Sequence, residues 1–258
     1  MSLSRPVALI TGAASGIGAS VAADWVAAGG VAAVVDLDGT AIEETVAKLG
    51  AENVSGHPAD VTDDRAVSAA VAAAAEAHGG RLDAVVNCAG IARPISAARG
   101  TDADWTRLVD VHLNGTMRVC RAAFPFLDKS DRAAVVNISS VASSNGLPGR
   151  SNYSAAKAGV EGLTRALAVE WAPRIRVNVV APGYVRTAMI DRLIADEKLD
   201  TGPVVARTPA GRFAEPEEIA AVVTFLASPA ASYVTGATFR VDGGMSVEGD
   251  WYAPGTRP

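Results

Sequence analysis

The sequence predicts an α/β fold in which a doubly wound parallel sheet is covered by helices on both faces. Short β-branched segments alternate along the chain with longer, alanine-rich segments of helical length. The β-branched segments are apolar at consecutive positions rather than at alternate ones, a pattern typical of strands that are buried on both faces. Strands that are separated by helices pair in parallel through right-handed crossovers, so the two observations together indicate this architecture.

Seven apolar segments predict the strands, in this order: residues 7–11, 31–36, 54–60, 82–88, 133–139, 175–182 and 237–243. The helices predicted between them are residues 17–29, 40–49, 63–78, 102–127, 151–171 and 215–227. The irregular segment 186–214 is long for a loop inside a compact domain, which indicates a lid or a mobile loop. We therefore expect one domain over residues 1–258, with this lid and a coil tail at residues 245–258.

The predicted tail carries two large aromatic residues, Trp251 and Tyr252, in a segment with little else to bury them. One hypothesis is that the tail packs over a pocket or across a subunit interface. The alternative is a frayed terminus.

Composition and charge argue against several functional classes. The 258 residues are 49% hydrophobic and 20% charged, which is a globular rather than a disordered composition. A net charge of -5 argues against a nucleic-acid surface. The sequence shows neither a secretory pattern nor an apolar run of membrane-spanning length. Cys88 and Cys120 are not in a paired spacing and the three histidines are scattered, so we expect a reducing, cytoplasmic compartment and no catalytic metal.

A glycine-rich motif, TGAASGIG at residues 11–18, joins the first predicted strand to the first helix. Gly12 permits a tight turn, Gly16 lets the backbone approach a phosphate, and Gly18 lets the helix pack closely on the strand. The free N–H groups at the helix start then face an anionic ligand. A glycine turn without a ligand is the alternative, but the strand–loop–helix context predicts a dinucleotide site. The loop residues predicted to contact the dinucleotide are Gly12, Ser15, Gly16, Ile17 and Gly18.

Asp36 ends the second predicted strand, where a carboxylate can accept hydrogen bonds from the adenosine ribose and repels a 2′-phosphate. Neither Ser15 nor Leu37 offers a cation for such a phosphate, so the sequence favours NAD over NADP. The alternative is that Asp36 is only a turn residue. Asp60 and Val61, after the third strand, are expected to flank the adenine, although Asp60 could equally cap the next helix.

Tyr153 and Lys157 lie four residues apart in the predicted helix 151–171. At this spacing the phenol and the ammonium share one helix face and can reach the same space. A half-buried tyrosine beside a solvated lysine would give the same pattern, so the pair gains meaning only from the rest of the chain.

Five motifs occur in one order along the chain: TGAASGIG at 11–18, NCAG at 87–90, NISS at 137–140, YSAAK at 153–157 and APG at 181–183. Together they resemble the short-chain dehydrogenase/reductase family in its compact single-domain form, over residues 5–244. The resemblance implies a Rossmann-type sheet of seven strands, a nicotinamide cofactor, and a metal-free interconversion of an alcohol and a carbonyl compound.

The resemblance also implies four catalytic residues. Tyr153 matches the acid/base, and Lys157 matches the lysine that lowers the tyrosine pKa and holds the nicotinamide ribose. Ser140 matches the serine that bonds the substrate oxygen, and its spacing from Tyr153 favours it over Ser139. Asn114 matches the asparagine that holds a water in a proton relay, with a purely structural amide as the alternative.

The proposed chemistry sets an electrostatic requirement. A free phenol has a pKa of roughly 10, so lowering it to about 7 requires roughly 4 kcal/mol of differential stabilisation. A nearby ammonium and the charge of oxidised nicotinamide can supply this, because opposite charges favour the ionised form.

Further cofactor contacts follow from the same resemblance. They are Asn87, Ala89, Gly90, Pro182, Gly183, Val185 and Thr187, together with Tyr153 and Lys157. Cys88 departs from the family, which commonly has a second asparagine there that braces the sheet, so local strand bracing is in question. We expect Cys88 itself to be a small buried hydrophobe rather than a reactive thiol.

The substrate is the least determined feature. Substrate-contacting residues are expected to be Ser140, Asn145, Tyr153 and Tyr184. Other candidates for the pocket are Ile91, Arg93, Val141, Gly146 and residues 184–189. Asn145 could bond a second hydroxyl or carbonyl, as a polyol, sugar or hydroxyketone offers, or could only shape a turn.

The expected function is NAD(H)-dependent interconversion of a secondary alcohol and a ketone. The enzymatic alternative is a 3-oxoacyl-carrier-protein reductase, for which Arg192, Arg207 and Arg212 could meet an acidic carrier. A regulator that senses NAD without turnover is the non-enzymatic alternative. The family resemblance implies a homotetramer that uses the fourth and fifth helices.

Overall fold

The computed structural model describes residues 5–196 and 200–247, and within them it contains one parallel sheet of seven strands. The strands are β1 (Val7–Thr11), β2 (Val31–Asp36), β3 (Val54–Pro58), β4 (Ala84–Asn87), β5 (Ala134–Ile138), β6 (Arg176–Pro182) and β7 (Thr238–Val241). Their spatial order is β3-β2-β1-β4-β5-β6-β7. The predicted strands and the predicted fold class are confirmed.

The strand order reverses direction between β1 and β4, which are neighbours in the sheet but distant in sequence. Thr11 at the end of β1 is paired with Val35 of β2 on one side and with Asn87 of β4 on the other. The loops that leave these strand ends therefore diverge and open a crevice. Open parallel sheets bind their ligands at such a switch point.

Helices flank the sheet at nearly every predicted place. They are α1 (Gly16–Ala27), α2 (Gly39–Leu49), α3 (Asp64–Glu76), α4 (Asp102–Val109), α5 (Gly115–Leu127), α6 (Ser151–Glu170), α7 (Ala188–Ala195), α8 (Gly202–Arg207) and α9 (Pro216–Ala227). Two predictions need correction. The predicted helix 102–127 is interrupted by a π turn at Asp110–Asn114, and the irregular segment 186–214 contains α7 and α8.

Each face of the sheet has its own hydrophobic core. Leu9 and Val85 face the core beneath α3 and α5, whereas Ile10 and Val86 face the core beneath α1 and α9. All four side chains are fully buried. This arrangement explains why the strand segments are continuously apolar, because successive side chains enter opposite cores.

A buried carboxylate holds the edge of the sheet opposite the crevice. Asp83 is 2% exposed and accepts hydrogen bonds from the Val7 backbone N–H at 2.9 Å and from the Ser130 hydroxyl at 2.7 Å. Arg81 and Arg132 pair with it at 3.2 and 3.3 Å. This cluster links the starts of β1 and β4 to the chain before β5.

Two further observations concern membrane-spanning helices and the C-terminal tail. None of the helices in the described part of the chain is long and apolar enough to cross a lipid bilayer. The described residues end at position 247 and so exclude most of the predicted tail 245–258. The hypothesis about Trp251 and Tyr252 therefore concerns residues outside the described part of the chain.

Candidate active site

The loop between β1 and α1 has the geometry that its glycines predict. Gly12 has φ +65°, and a Cβ there would lie 2.8 Å from the backbone of Ala89. A Cβ at Gly18 would lie 2.2 Å from the carbonyl oxygen of Gly12, so only glycine lets α1 pack this closely on the loop. Gly16, with φ +54°, faces Thr187 across the crevice. The loop therefore leaves an open space above the start of α1.

That space is a cleft of about 360 Å³ at the switch point. The predicted cofactor residues that line it are Gly12, Ser15, Gly16, Ile17, Gly18, Asp36, Leu37, Asp60, Val61, Ala89, Gly90 and Thr187. The cleft runs from the helix N-terminus of α1 to the end of β3, which suits a diphosphate at one point and an adenosine beyond it. The residues present therefore fit a dinucleotide.

Asp36 lies at the adenosine end of this cleft. Its carboxylate accepts hydrogen bonds from the backbone N–H of Ala14 at 3.0 Å and of Leu37 at 2.7 Å. Leu37 is 67% exposed at the cleft wall. The carboxylate is thus fixed by backbone donors and still borders the space that a ribose would occupy.

Asp60 does not cap the following helix. Asp63 caps α3, accepting hydrogen bonds from the N–H groups of Arg65 and Ala66. The carboxylate of Asp60 instead accepts hydrogen bonds from the N–H and hydroxyl of Thr62, both at 2.8 Å, beside the cleft. The alternative that Asp60 is the helix cap is therefore wrong.

A second cavity of about 260 Å³ adjoins the cleft. The two share the wall formed by Ile17, Cys88, Gly90, Ile91 and Thr187. The predicted site residues Ser140, Tyr153, Lys157, Pro182, Gly183, Tyr184 and Val185 line this second cavity. A molecule held here would lie against the inner end of a dinucleotide in the cleft.

Three predicted catalytic residues converge in the second cavity. Tyr153 and Lys157 lie one turn apart in α6, and the Lys157 Nζ is 5.7 Å from the centre of the Tyr153 ring. Lys157 is buried and donates a hydrogen bond to the Ile138 carbonyl at 2.7 Å. Ser140, just after β5, lines the same cavity, and its Oγ accepts a hydrogen bond from the Ala142 N–H at 3.2 Å. Tyrosine, serine and lysine are therefore brought together as the sequence predicts.

The pKa of Tyr153 differs from the expectation that the neighbouring ammonium lowers it. Burial raises the pKa of Tyr153 above its usual value, although the neighbouring Ser140 hydroxyl and the charge of Arg150 oppose the rise. Burial also lowers the pKa of Lys157 to about 8, against a small opposing effect of Cys88. The ammonium is therefore still mainly protonated at neutral pH. The protein groups alone do not lower the pKa of the phenol, so further positive charge is required.

The chain is similar in sequence and in fold to known proteins. A family model described as "Enoyl-(Acyl carrier protein) reductase" matches residues 12–246. The 3-oxoacyl-[acyl-carrier-protein] reductase of Thermotoga maritima is 38% identical over 252 residues, covering 96% of this chain and 100% of that protein. Cis-4-hydroxycyclohexanecarboxylate dehydrogenase of Sinomonas cyclohexanicum is 44% identical over 247 residues, covering 93% and 96%. A solved short-chain dehydrogenase/reductase from Brucella melitensis, titled glucose/ribitol dehydrogenase, superposes with a TM-score of 0.87 at 35% identity, covering 95% and 99%.

The family match spans nearly all of the described residues. The chain belongs to the short-chain dehydrogenase/reductase family. It is an oxidoreductase that acts on CH–OH groups, its fold is Rossmann-type, and the family implies a nicotinamide cofactor for the cleft.

In this short-chain dehydrogenase/reductase, Asn114 does not join the other catalytic residues. Its side chain is exposed and donates a hydrogen bond to Asp110 at 3.0 Å, and it lines neither cavity. Positions 112 and 114 point to opposite sides of a helix, so only one of them can face the site. The π turn at Asp110–Asn114 presents His112 to the cavity instead.

His112 is the residue that the sequence reasoning missed. It is 3% exposed, and its ring meets the Tyr153 ring edge-on at 5.2 Å and 88°. Its Nε2 lies 2.9 Å from the carbonyl oxygen and 3.2 Å from the backbone nitrogen of Ile91, so the tautomer of the ring decides whether Nε2 donates to the carbonyl or accepts from the N–H. The Nδ1 atom is buried without a hydrogen-bond partner among the described residues.

The imidazole is neutral and tightly enclosed. Burial, reinforced by the charge of Lys157, lowers the pKa of His112 to about 3. A Cβ at Gly90 would lie 2.6 Å from the ring, so the glycine of the NCAG motif makes room for this side chain. A histidine inside a predicted helix carries no spacing signal, which explains why only the structure reveals it.

Asn87 does not contact the cleft as predicted. Its side chain is buried and donates a hydrogen bond to Asn137 at 2.8 Å, and Asn137 donates to Thr164 at 2.9 Å. These bonds brace β4, β5 and α6, so the bracing questioned at Cys88 is present. Cys88 itself lines both cavities, and burial raises its thiol pKa to about 12, which keeps it protonated.

Two expected substrate contacts also need correction. Asn145 lies outside the lining of the cavity; it follows the 3₁₀ turn Val141–Ser143, and its side-chain oxygen accepts a hydrogen bond from Ser144 at 3.3 Å. Arg93 is largely exposed and pairs with Asp104 at 3.5 Å. The cavity is lined instead by residues that the sequence reasoning did not single out, among them Leu147, Arg150, Ile190 and Leu193.

Metal chemistry was not expected from the scattered histidines. Within residues 5–196 and 200–247, no group of three or more His, Cys, Asp or Glu side chains could hold a metal ion.

Proposed function

We propose that this protein interconverts a secondary alcohol and the corresponding ketone with NAD(H), using Tyr153 as the acid/base. The observation that carries the proposal is the meeting of Ser140, Tyr153 and Lys157 in a cavity that shares a wall with the dinucleotide cleft. In these roles, Tyr153 would be the proton acceptor, Ser140 the hydrogen-bond donor and Lys157 the buried cation around one small volume.

The cofactor would be held by the β1–α1 loop at its diphosphate and by Asp36 at its adenosine ribose. When bound, the nicotinamide supplies the hydride chemistry. The fixed carboxylate of Asp36 supports NAD, because it would repel a 2′-phosphate. Within the described residues that line the cleft, the one cation is Arg107, which lies on α4.

The proton is handled by residues of this chain. In the oxidation direction, Tyr153 takes the hydroxyl proton of the substrate, and Ser140 holds the substrate oxygen as its charge changes. Lys157 keeps a positive charge near the phenol, on an ammonium that the Ile138 carbonyl fixes in place. His112 holds the backbone at Ile91, which lies in the shared wall, and borders the tyrosine ring.

The cavity supports an apolar substrate over a polyol or sugar. Much of its described lining is aliphatic, and Asn145, the residue expected to bond a second hydroxyl, is outside it. The Sinomonas relative is named for a ring alcohol, and the Thermotoga relative for a 3-oxoacyl thioester on a carrier protein. We favour a small ring or branched secondary alcohol.

The carrier-linked alternative has weaker support from the surface. Arg212, proposed to meet an acidic carrier, is held by Glu218 through two contacts of 2.6 and 2.7 Å. The other two arginines proposed for this contact, Arg192 on α7 and Arg207 on α8, are exposed. A regulator that only senses NAD has no evident use for the converged serine, tyrosine and lysine.

We also propose a cytoplasmic homotetramer. The fourth and fifth predicted helices, residues 102–127 and 151–171, contain α5 and α6 of the structure. Phe124 on α5 is 37% exposed and Val169 on α6 is 81% exposed, so both helices that would form the interface carry apolar surface. Light scattering should give four times the mass of one chain.

The function is tested with a panel of secondary alcohols and ketones, assayed with NAD(H) and with NADP(H). We expect oxidation of several ring alcohols with NAD and a loss of turnover in Tyr153→Phe. Tight NAD binding with no turnover of any panel member would instead support the regulator.

A further inference from the structure

The substrate cavity carries two cations, Arg150 and Lys157, and its described lining contains no aspartate or glutamate. Lys157 is accounted for by the catalytic trio, and its ammonium is bonded to the Ile138 carbonyl. Arg150 has no part in the mechanism described above. A guanidinium in an otherwise largely aliphatic wall therefore needs an explanation.

Arg150 is unpaired in the described part of the chain. It is half-buried, and no carboxylate there lies within ion-pair distance of it. Two other arginines show the contrast: Arg93 pairs with Asp104 at 3.5 Å and Arg118 pairs with Asp110 at 2.8 Å. A partly buried arginine normally has a carboxylate or another acceptor, because leaving it unpaired costs desolvation energy.

The position of Arg150 fixes its distance from the reacting group. It is the N-cap residue of α6 and precedes Tyr153 by three residues, so its Cβ lies roughly 5–6 Å from that of the tyrosine. The two side chains line the same cavity, and the charge of Arg150 opposes the rise in the Tyr153 pKa. The first turn of α6 contains no acidic residue, so the positive end of the helix dipole adds to the charge of the arginine.

We propose that Arg150 binds a carboxylate of the substrate, so that the substrate is a hydroxy acid, or the matching oxo acid, with an apolar body. This inference rests on the proposed function and names its substrate class. The planar guanidinium matches a carboxylate in a bidentate geometry, which a lysine does not. The aliphatic residues Val141, Leu147, Ile190 and Leu193 then face the carbon body between the carboxylate and the carbinol.

The carboxylate takes no part in the reaction. A bound nicotinamide would accept the hydride of the carbinol carbon, the hydroxyl proton would pass to Tyr153, and the carbinol would become a ketone. A cavity of about 260 Å³ is at the small end for ligand sites, so the body should be a small ring or a short branched chain.

The test compares hydroxycyclohexanecarboxylates, with the hydroxyl at ring position 3 or 4, with their uncharged carboxamides. For the wild type we expect kcat/KM to favour the acid by roughly tenfold to a hundredfold, the range for a charge-assisted hydrogen bond. Arg150→Gln should bring this ratio close to one, and Arg150→Lys should retain part of it. The effect of Arg150 on the Tyr153 pKa acts on both substrates and cancels in the ratio.

The control is Arg93→Gln, which removes an arginine outside the cavity and should leave the ratio unchanged. A wild-type ratio near one, or an unchanged ratio in Arg150→Gln, would overturn the inference while turnover of neutral alcohols upheld the function. A preference confined to phosphate esters or to carrier-linked 3-oxoacyl groups would also overturn it. If no alcohol is oxidised at all, the proposed function itself fails.

Discussion

Replacing Lys157 by methionine isolates the electrostatic contribution of the buried ammonium. Methionine keeps the length and apolar stem of the side chain but removes the charge that lies 5.7 Å from the Tyr153 ring. With the phenolate charge taken at the ring centre and an effective dielectric constant of about 20, a unit charge at that distance is worth roughly 3 kcal/mol. This corresponds to about 2 pKa units.

The expected result is a shift of the pH–rate profile for alcohol oxidation. The active form is the phenolate, so the rate rises as pH rises through the apparent pKa of Tyr153 in the enzyme–cofactor complex. Without the ammonium this pKa increases, and the rising limb of kcat/KM should move by about 2 units toward alkaline pH. NADH absorbance measured between about pH 6 and pH 10.5 covers the predicted displacement.

Lys129 provides the matched control. Its ammonium lies 5.3 Å from the Phe126 ring, a similar lysine–aromatic contact, but remote from both cavities. Lys129→Met should leave the profile unchanged. If Lys157→Met had the same profile as the wild type, the ammonium would not influence the phenol, and the electrostatic argument would be refuted.

Three further substitutions test other parts of the site and the fold. Asp36→Ala combined with Leu37→Arg should raise kcat/KM for NADP by roughly tenfold or more, because the repelling carboxylate is replaced by a cation that can pair with the 2′-phosphate. His112→Phe should lower kcat/KM for the alcohol by about tenfold to a hundredfold, since the backbone of Ile91 loses its buried hydrogen-bond partner, whereas Asn114→Ala should stay within about twofold in the same assay. Asp83→Ala should reduce the free energy of unfolding in urea by about 1–3 kcal/mol, because the Val7 N–H and the Ser130 hydroxyl lose their buried acceptor.

A specific result would contradict each of these three predictions. Unchanged NAD preference in the double variant would remove Asp36 as the selector. If His112→Phe were as active as the wild type while Asn114→Ala was inactive, the assignment of these two positions would be reversed. Equal urea midpoints for Asp83→Ala and the wild type would show that the buried carboxylate is energetically neutral.

The fold and the glycine loop were predictable because they depend on local patterns. Continuous apolar segments identify strands that are buried on both faces, and Gly12, Gly16 and Gly18 lie where strand, turn and helix follow one another. Tyr153 and Lys157 were predictable for the same reason, since an i,i+4 pair in a regular helix shares one face.

The remaining site residues depend on structure that the sequence pattern does not reveal. The π turn at Asp110–Asn114 replaces a stretch of the predicted helix and presents His112, not Asn114, to the cavity. Asn87 turns into the sheet because Asn137 lies beside it on the next strand, a tertiary relation. Arg150 became informative only when its cavity proved to have no carboxylate among its described lining residues.

The most direct test of the central claim is a single-turnover measurement of hydride transfer in wild type and in Tyr153→Phe, with NAD dissociation constants measured for both. Phenylalanine preserves the ring packed against His112 and removes only the hydroxyl. We predict that the rate of NADH formation falls by about 10²–10⁴-fold, as for the loss of a general base, while the dissociation constant stays within about twofold. Hydride transfer at an undiminished rate in Tyr153→Phe would contradict the account.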